Sequence, residues 1–247
     1  SSAASDVYKR QQQVIYDERS PKYVDHLNKT FYFLEDGRCF IVREETSTGY
    51  MHLYLYGIGQ GVLHPITQGE WEVTDFVGLR GDKVYYISTE SSPLKRDLYR
   101  VGLDGKHKER LTPGDGYYSI YPSADLSYYI CEGGDSSAPG RTDVFNAAGK
   151  RVRTLYDNAP LKEALVEAGL PVREFFTFTT ERGDELNGYM LKPLDFDPAK
   201  RYPVLLTQYS GPGSQQVAEG WGPDWEDALV THGSVSYTHL TLPTILR

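Results

Sequence analysis

Gly81-Asp82-Lys83-Val84-Tyr85-Tyr86-Ile87, then Asp97-Leu98-Tyr99-Arg100-Val101-Gly102-Leu103-Asp104-Gly105, then Leu111-Thr112-Pro113-Gly114 is the stretch that decides the fold. Runs of β-branched and aromatic residues, each bounded by Gly, Asp or Pro, read as short strands joined by tight turns. The same order stands on either side of it. Phe40-Ile41-Val42 and Tyr128-Tyr129-Ile130 match Val84 to Ile87, and turn-like Asp36-Gly37-Arg38 and Ser123-Ala124-Asp125 precede them. His52-Leu53-Tyr54-Leu55-Tyr56 and Asp143-Val144-Phe145 match Asp97 to Val101. Ile66-Thr67-Gln68-Gly69 and Leu111 to Gly114 close the first two copies, and Trp71 and Tyr117 open the second and third. The spacing is in the mid-forties from Phe31 to about Asn158. Four short strands at that period are the pattern of a β-propeller blade. About three such units fall short of a closed propeller, so the reading is a partial one over residues 12–157.

The pattern changes near Ala159. Asp157 or Asn158 can cap a helix over Pro160 to Ala168 with Leu161, Leu165 and Ala168 on its apolar face, ended by Gly169 and Pro171. Phe175 to Thr180 and Glu185 to Lys192 read as a hairpin about Glu181-Arg182-Gly183-Asp184. Pro203-Val204-Leu205-Leu206-Thr207-Gln208 reads as a buried strand, and Trp225 to Thr231 has helical spacing. The fold class expected is therefore mixed: the last blades of a β-propeller, then the truncated start of an α/β domain over residues 158–233.

The two ends stand apart. One nucleotide string encodes Ser1 to Gln11 on one strand and Val235 to Thr244 on the other, and it resembles a transposase-based sequencing adapter. Residues 1–11 and 234–247 are accordingly expected to be adapter read-through and are kept out of the fold reasoning. Missing leader or catalytic segments then carry no information.

Composition excludes more than it selects. The formal charge is −8 and the sequence pI near 5.3, which argues against a nucleic-acid footprint. No apolar run is long enough to span a membrane. Cys39 and Cys131 could form one disulfide, but their spacing favours two buried thiols, and pairing stays open. No metal-ligand cluster and no phosphate-binding loop is visible, so neither metal nor cofactor is expected.

Tyr209 stands where the strand Pro203 to Gln208 meets Ser210-Gly211-Pro212-Gly213-Ser214-Gln215. Active sites of open α/β sheets form at the carboxyl ends of strands. A phenol held there can donate to a developing oxyanion. Position alone favours a Tyr that satisfies its own hydroxyl beside a turn.

The order of propeller, helix and hairpin, followed by Arg201 to Gln215, resembles the dipeptidyl peptidase IV branch of the prolyl oligopeptidase-type serine peptidases. Gly69-Glu70-Trp71-Glu72-Val73, Val84 to Ser88 and Tyr117-Tyr118-Ser119 are similar to that branch's propeller, and Tyr-x-Gly-Pro-x-Ser-Gln is the specific stretch. The resemblance implies an eight-bladed propeller capping an α/β-hydrolase domain. It implies release of N-terminal dipeptides, with Pro or Ala second, by acyl transfer through a Ser–Asp–His triad. It makes Tyr209 the catalytic hydroxyl of the oxyanion hole. It implies peptide substrates, allows a homodimeric parent, and through the bacterial look of Gln208 to Pro212 implies a periplasmic or secreted enzyme.

The chain departs from the family's full pattern. No Gly-x-Ser-x-Gly elbow occurs, so the nucleophile is expected downstream and the chain itself is expected to be inactive. Ser210 and Ser214 read as turn hydroxyls. The paired glutamates with which the family holds the substrate amine are expected upstream, and Glu44-Glu45 reads as a solvated blade edge. His26, His52, His64 and His107 read as blade-surface or turn residues, and His232 as a helix cap. Two other readings are compatible: a relative that has lost its nucleophile and binds peptides or proteins, and a neighbouring tripeptidyl or acylaminoacyl peptidase.

Overall fold

The computed structural model describes residues 2–5, 12–20, 30–45, 48–208 and 214–239. In chain order the strands are β1 (Ser2–Ser5), β2 (Gln12–Tyr16), β3 (Phe31–Phe33), β4 (Cys39–Glu44), β5 (His52–Gly57), β6 (Gly61–Pro65), β7 (Val73–Arg80), β8 (Lys83–Ser88), β9 (Asp97–Gly102), β10 (Glu109–Arg110), β11 (Tyr117–Pro122), β12 (Tyr128–Gly134), β13 (Arg141–Asn146) and β14 (Arg151–Tyr156). Helix α1 (Ala159–Ala168) comes next, then β15 (Glu174–Thr179), β16 (Glu185–Leu191), β17 (Val204–Gln208), helix α2 (Trp225–Thr231) and β18 (Val235–His239). The chain divides into two compact units, one of residues 1–112 with 122–127, the other of 113–121 with 128–247.

Three four-stranded sheets, β3 to β6, β7 to β10 and β11 to β14, keep their strands in sequence order, as the repeat requires. The two middle strands of the first two sheets are buried almost throughout, while the outer strands β3 and β6 are largely exposed. Burial on both faces accounts for runs such as Phe40-Ile41-Val42 that do not alternate. In the first unit Ile41, Leu53, Leu55 and Ile66 pack with Val73, Val84, Tyr86, Tyr99 and Val101 in one core. On the other side of the first sheet, Phe40 and Val42 pack with Tyr16.

Turn chemistry fixes the registers. Asp36 Oδ1 accepts the backbone N–H groups of Arg38 (2.8 Å) and Cys39 (3.1 Å), and Gly37 takes the left-handed conformation between them. Asp104 accepts from Lys106 in the same way, and Asn146 from Ala148 and Lys150. Bonds from the Ser127 hydroxyl and backbone hold Asp125 down at about 2. At Gly133 a Cβ would stand 2.1 Å from the Tyr117 carbonyl oxygen, so only glycine lets the chain approach so closely there.

Helix α1 starts and stops where the sequence places it, but its cap differs. Asp157 Oδ1 accepts from Ala159 N (3.1 Å), while the Asn158 side chain donates to the Gly140 carbonyl instead of capping. None of its residues is buried; the expected face leaves Leu161 42% exposed, and Val166 is 84% exposed.

The last sheet runs β15-β16-β18-β17. Strand β18 is antiparallel to β16 and parallel to β17, with α2 as the crossover. The sheet therefore continues to His239, past the boundary expected at Gly233, through the segment that the nucleotide coincidence sets apart. Val235, Tyr237 and Thr238 are good strand formers, and Val235, Ser236 and Thr238 are buried there. Ser2–Ser5 likewise pairs with β2. Among the described residues no helix is long and apolar enough to cross a membrane. Cys39 and Cys131 are free thiols, Cys131 buried as expected and Cys39 only half-buried.

Candidate functional site

Strand β17 brings the chain to Gln208 in the only parallel pairing among the described strands. Tyr209 and Ser210 lie outside the described residues. From Ser214 onward the chain is anchored residue by residue. Ser214 Oγ accepts from Gln216 Nε2 (2.9 Å), the Gln215 side chain donates to the Val217 carbonyl, and Val217 is fully buried. Ser214 thus bonds a neighbouring side chain, where the sequence reading expects a turn hydroxyl bonding backbone.

Arg173, just before β15, then clips the returning loop. Its Nη1 donates to the Gly220 carbonyl (3.0 Å) and its Nη2 to the Gly222 carbonyl (2.7 Å), and its guanidinium lies 5.0 Å from the centre of the Tyr189 ring. The planar fork suits two neighbouring carbonyls and an aromatic face at once. Tyr189 Oη donates to Glu226 Oε2 (2.8 Å), and Thr238 Oγ1 donates to Glu226 Oε1 (3.0 Å). Burial is the main cause that raises the Tyr189 phenol above its ordinary range. Asp224 begins α2 with a capping box to Asp227. The segment after Tyr209 is thereby tied to β16, α2 and β18.

Sequence reasoning missed Arg173 and Glu226. Arg173 stands in a linking segment with no pattern around it. Glu226 lies in the first turn of a helix, where an acid ordinarily answers the helix dipole from the surface. Here it is 4% exposed.

Other candidates move or stay. His52 is not on a blade surface: it is fully buried, edge-on to the Trp71 ring. Glu44 is not at a solvated edge: it is 1% exposed and stands opposite His52 in the β4–β5 register, with Glu45 half-buried beyond it. The β5 residues alternate between two packed faces, so both sides of this hairpin exclude water. His64 is exposed, with Nδ1 3.1 Å from the Pro65 carbonyl, and His107 occupies a left-handed turn. His232 closes α2, its Nδ1 2.7 Å from the Ala228 carbonyl. His26 lies outside the described residues. Arg182, Asp184 and Glu185 sit at the β15–β16 turn as expected.

A cleft of about 520 Å³ opens in the second unit, lined by Tyr118, Cys131, Gly133, Gly140, Arg141 and Asp143 among others. None of the candidate catalytic or substrate-holding residues named from the sequence lines it. Its arginines serve Asp143, with Arg141 Nε at 3.3 Å and Arg151 Nη1 at 3.9 Å. No cluster of His, Cys, Asp and Glu suited to a metal occurs among the described residues.

The family model described as the dipeptidyl peptidase IV (DPP IV) N-terminal region matches residues 2–139. The chain belongs to the dipeptidyl peptidase IV family. It is 36% identical over 181 residues to the probable dipeptidyl peptidase 4 of Emericella nidulans, covering 70% of this chain and 23% of that one. It is 32% identical over 206 residues to the dipeptidyl peptidase 4 of Arthroderma otae, covering 81% of this chain and 26% of that one. The crystal structure of Porphyromonas gingivalis dipeptidyl peptidase 4 is similar at a TM-score of 0.86 and 32% identity, over 96% of this chain and 34% of that one. This member of the dipeptidyl peptidase IV family thus spans about a quarter of the length of the curated relatives it matches. The two curated relatives are fungal, and the similar solved structure is that of Porphyromonas gingivalis.

Proposed function

We propose that the chain is the middle of a serine exopeptidase that releases N-terminal dipeptides with Pro or Ala in second position. Its three repeated sheets are the last blades of the propeller, and its last sheet begins the α/β-hydrolase domain. Three observations support this. Family membership supplies the class. An antiparallel hairpin followed by a parallel crossover leaves β17 at an open edge that further strands can extend. Above all, Tyr209-Ser210-Gly211-Pro212-Gly213-Ser214-Gln215 directly follows that strand.

Tyr209 is the catalytic residue of this segment: its hydroxyl donates to the oxyanion of the tetrahedral intermediate, beside the backbone N–H that comes after the nucleophile. The serine, acid and histidine belong to the downstream part of the parent, and the residues that hold the substrate amine to the upstream part. The parent is periplasmic or secreted. The test is the parent gene beyond the codon for Gly233 and the activity of its product on an Xaa-Pro reporter. A Gly-x-Ser-x-Gly elbow followed by Asp and His, with turnover of the reporter, supports the proposal. A replaced serine without turnover overturns it in favour of a binding relative.

A further inference from the structure

Each repeated sheet fastens its closing segment with a polar side chain near the start of its third strand. In the second sheet Asp97, fully buried, accepts from Thr112 Oγ1 (2.6 Å), from Arg110 Nε (3.0 Å) and Nη2 (2.8 Å), and from the Ser91 hydroxyl. In the third, Asp143 accepts from Thr154 Oγ1 (2.6 Å), with Arg141 beside it. The first sheet has His52 at this place. Its Nδ1 is 3.1 Å from Thr67 Oγ1 and its Nε2 is 2.9 Å from the Gly69 carbonyl.

The partners settle the tautomer. A carbonyl only accepts, so Nε2 carries hydrogen and donates to Gly69. Thr67 Oγ1 already accepts the Leu53 N–H (3.0 Å), and its own hydrogen is free to bond a bare Nδ1. The run Leu53 N–H to Thr67 O–H to His52 Nδ1, then Nε2–H to Gly69, is complete only while the ring is neutral. A proton on Nδ1 turns that nitrogen from acceptor to donor and leaves the Thr67 hydrogen without its acceptor in a buried place. An aspartate at the same position has no such second state of the ring.

We propose that His52 makes the closing segment of the first sheet a proton-operated latch: protonation releases Thr67 and loosens β6 with residues 66–71, while the second and third sheets stay fastened.

The surroundings favour the neutral ring. Burial lowers the His52 pKa, and it outweighs the Gly69 bond and the carboxylates of Glu44 from β4 and Glu90 from the segment after β8, which raise it. Lys108 is bonded to that Glu90 and lies over the Trp71 ring, 5.5 Å from its centre. Glu70 and Glu72 flank Trp71 in sequence. With the folded value below the unfolded one, the stabilisation is fully present above the ordinary His value of ~6.5 and is lost as pH falls through the folded value. The turn carboxylates Asp36, Asp104, Asp125 and Asp135 are held below their ordinary range, so their loss belongs to a more acid window, below ~4.

Hydrogen exchange of this chain between about pH 7 and 5 tests the latch through matched amides. Ile66 N and Thr67 N donate to the Leu53 carbonyl in the first sheet, and Leu111 N to the Leu98 carbonyl in the second. Protection at Ile66 and Thr67 is expected to fall with a slope of up to about tenfold per pH unit below ~6.5, as one proton requires, while Leu111 holds. In H52D, which carries the aspartate of the other sheets, the fall is expected to disappear. Parallel loss at all three amides, or a fall that persists in H52D, would overturn the proposal. Should H52D fail to fold, the comparison of Ile66 and Thr67 with Leu111 in the native chain decides alone.

Discussion

The second repeated sheet and the last sheet bury a carboxylate each, and they do so by different means. Asp97 is satisfied from within its own sheet, by Ser91, Arg110 and Thr112. Glu226 comes from a helix and draws its donors from β16 and β18, 37 and 12 residues away. The first arrangement repeats with the period and closes locally. The second exists only once a crossover has set the later strand inside the earlier one. A propeller blade is thus a local unit, whereas the last sheet is held by groups the chain brings together from afar.

Substitutions can break that contrast. The largest effect is expected from D97A. Removing one partner of a buried pair costs about 3–5 kcal/mol, and because Arg110 remains 31% exposed the lower end applies, about 3 kcal/mol. The loss should appear in urea titration as an earlier transition of the first unit. Y189F removes one donor from Glu226 and is expected to cost about 1–2 kcal/mol, read from the second unit. If Y189F proved the more damaging of the two, the local closure of the repeated sheets would not be their main fastening. V204K should change stability by less than about 0.5 kcal/mol, because Val204 is 66% exposed. Its effect is on association: β17 is an edge strand with Val204 and Leu206 in solvent, and a Lys there blocks strand addition. Sedimentation velocity should show less self-association for V204K than for the native chain.

The repeated sheets were legible in the sequence because Val84 to Ile87 and its counterparts carry strand and turn signals at a fixed period. Their buried polar residues were not. His52 and Glu44 look like any charged or polar residue beside a turn, and only packing on both faces of the β4–β5 hairpin buries them. In the last sheet the hairpin, β17 and α2 could be read one by one, but β17 is not the buried strand its apolar run suggests: it ends the sheet, and Val204 and Leu206 stand exposed. The order of the strands could not, since it depends on β18, a segment that its adapter-like sequence sets outside the fold reading. Arg173 had no signal at all, because two loop carbonyls recognise it only in three dimensions.

The most direct test of the account concerns Tyr209 in the parent enzyme. Y209F keeps the ring and removes the hydroxyl. If that hydroxyl is an oxyanion donor, kcat on an Xaa-Pro reporter should fall by about 10²–10³ with little change in KM. A Y209F enzyme with undiminished kcat would contradict the account.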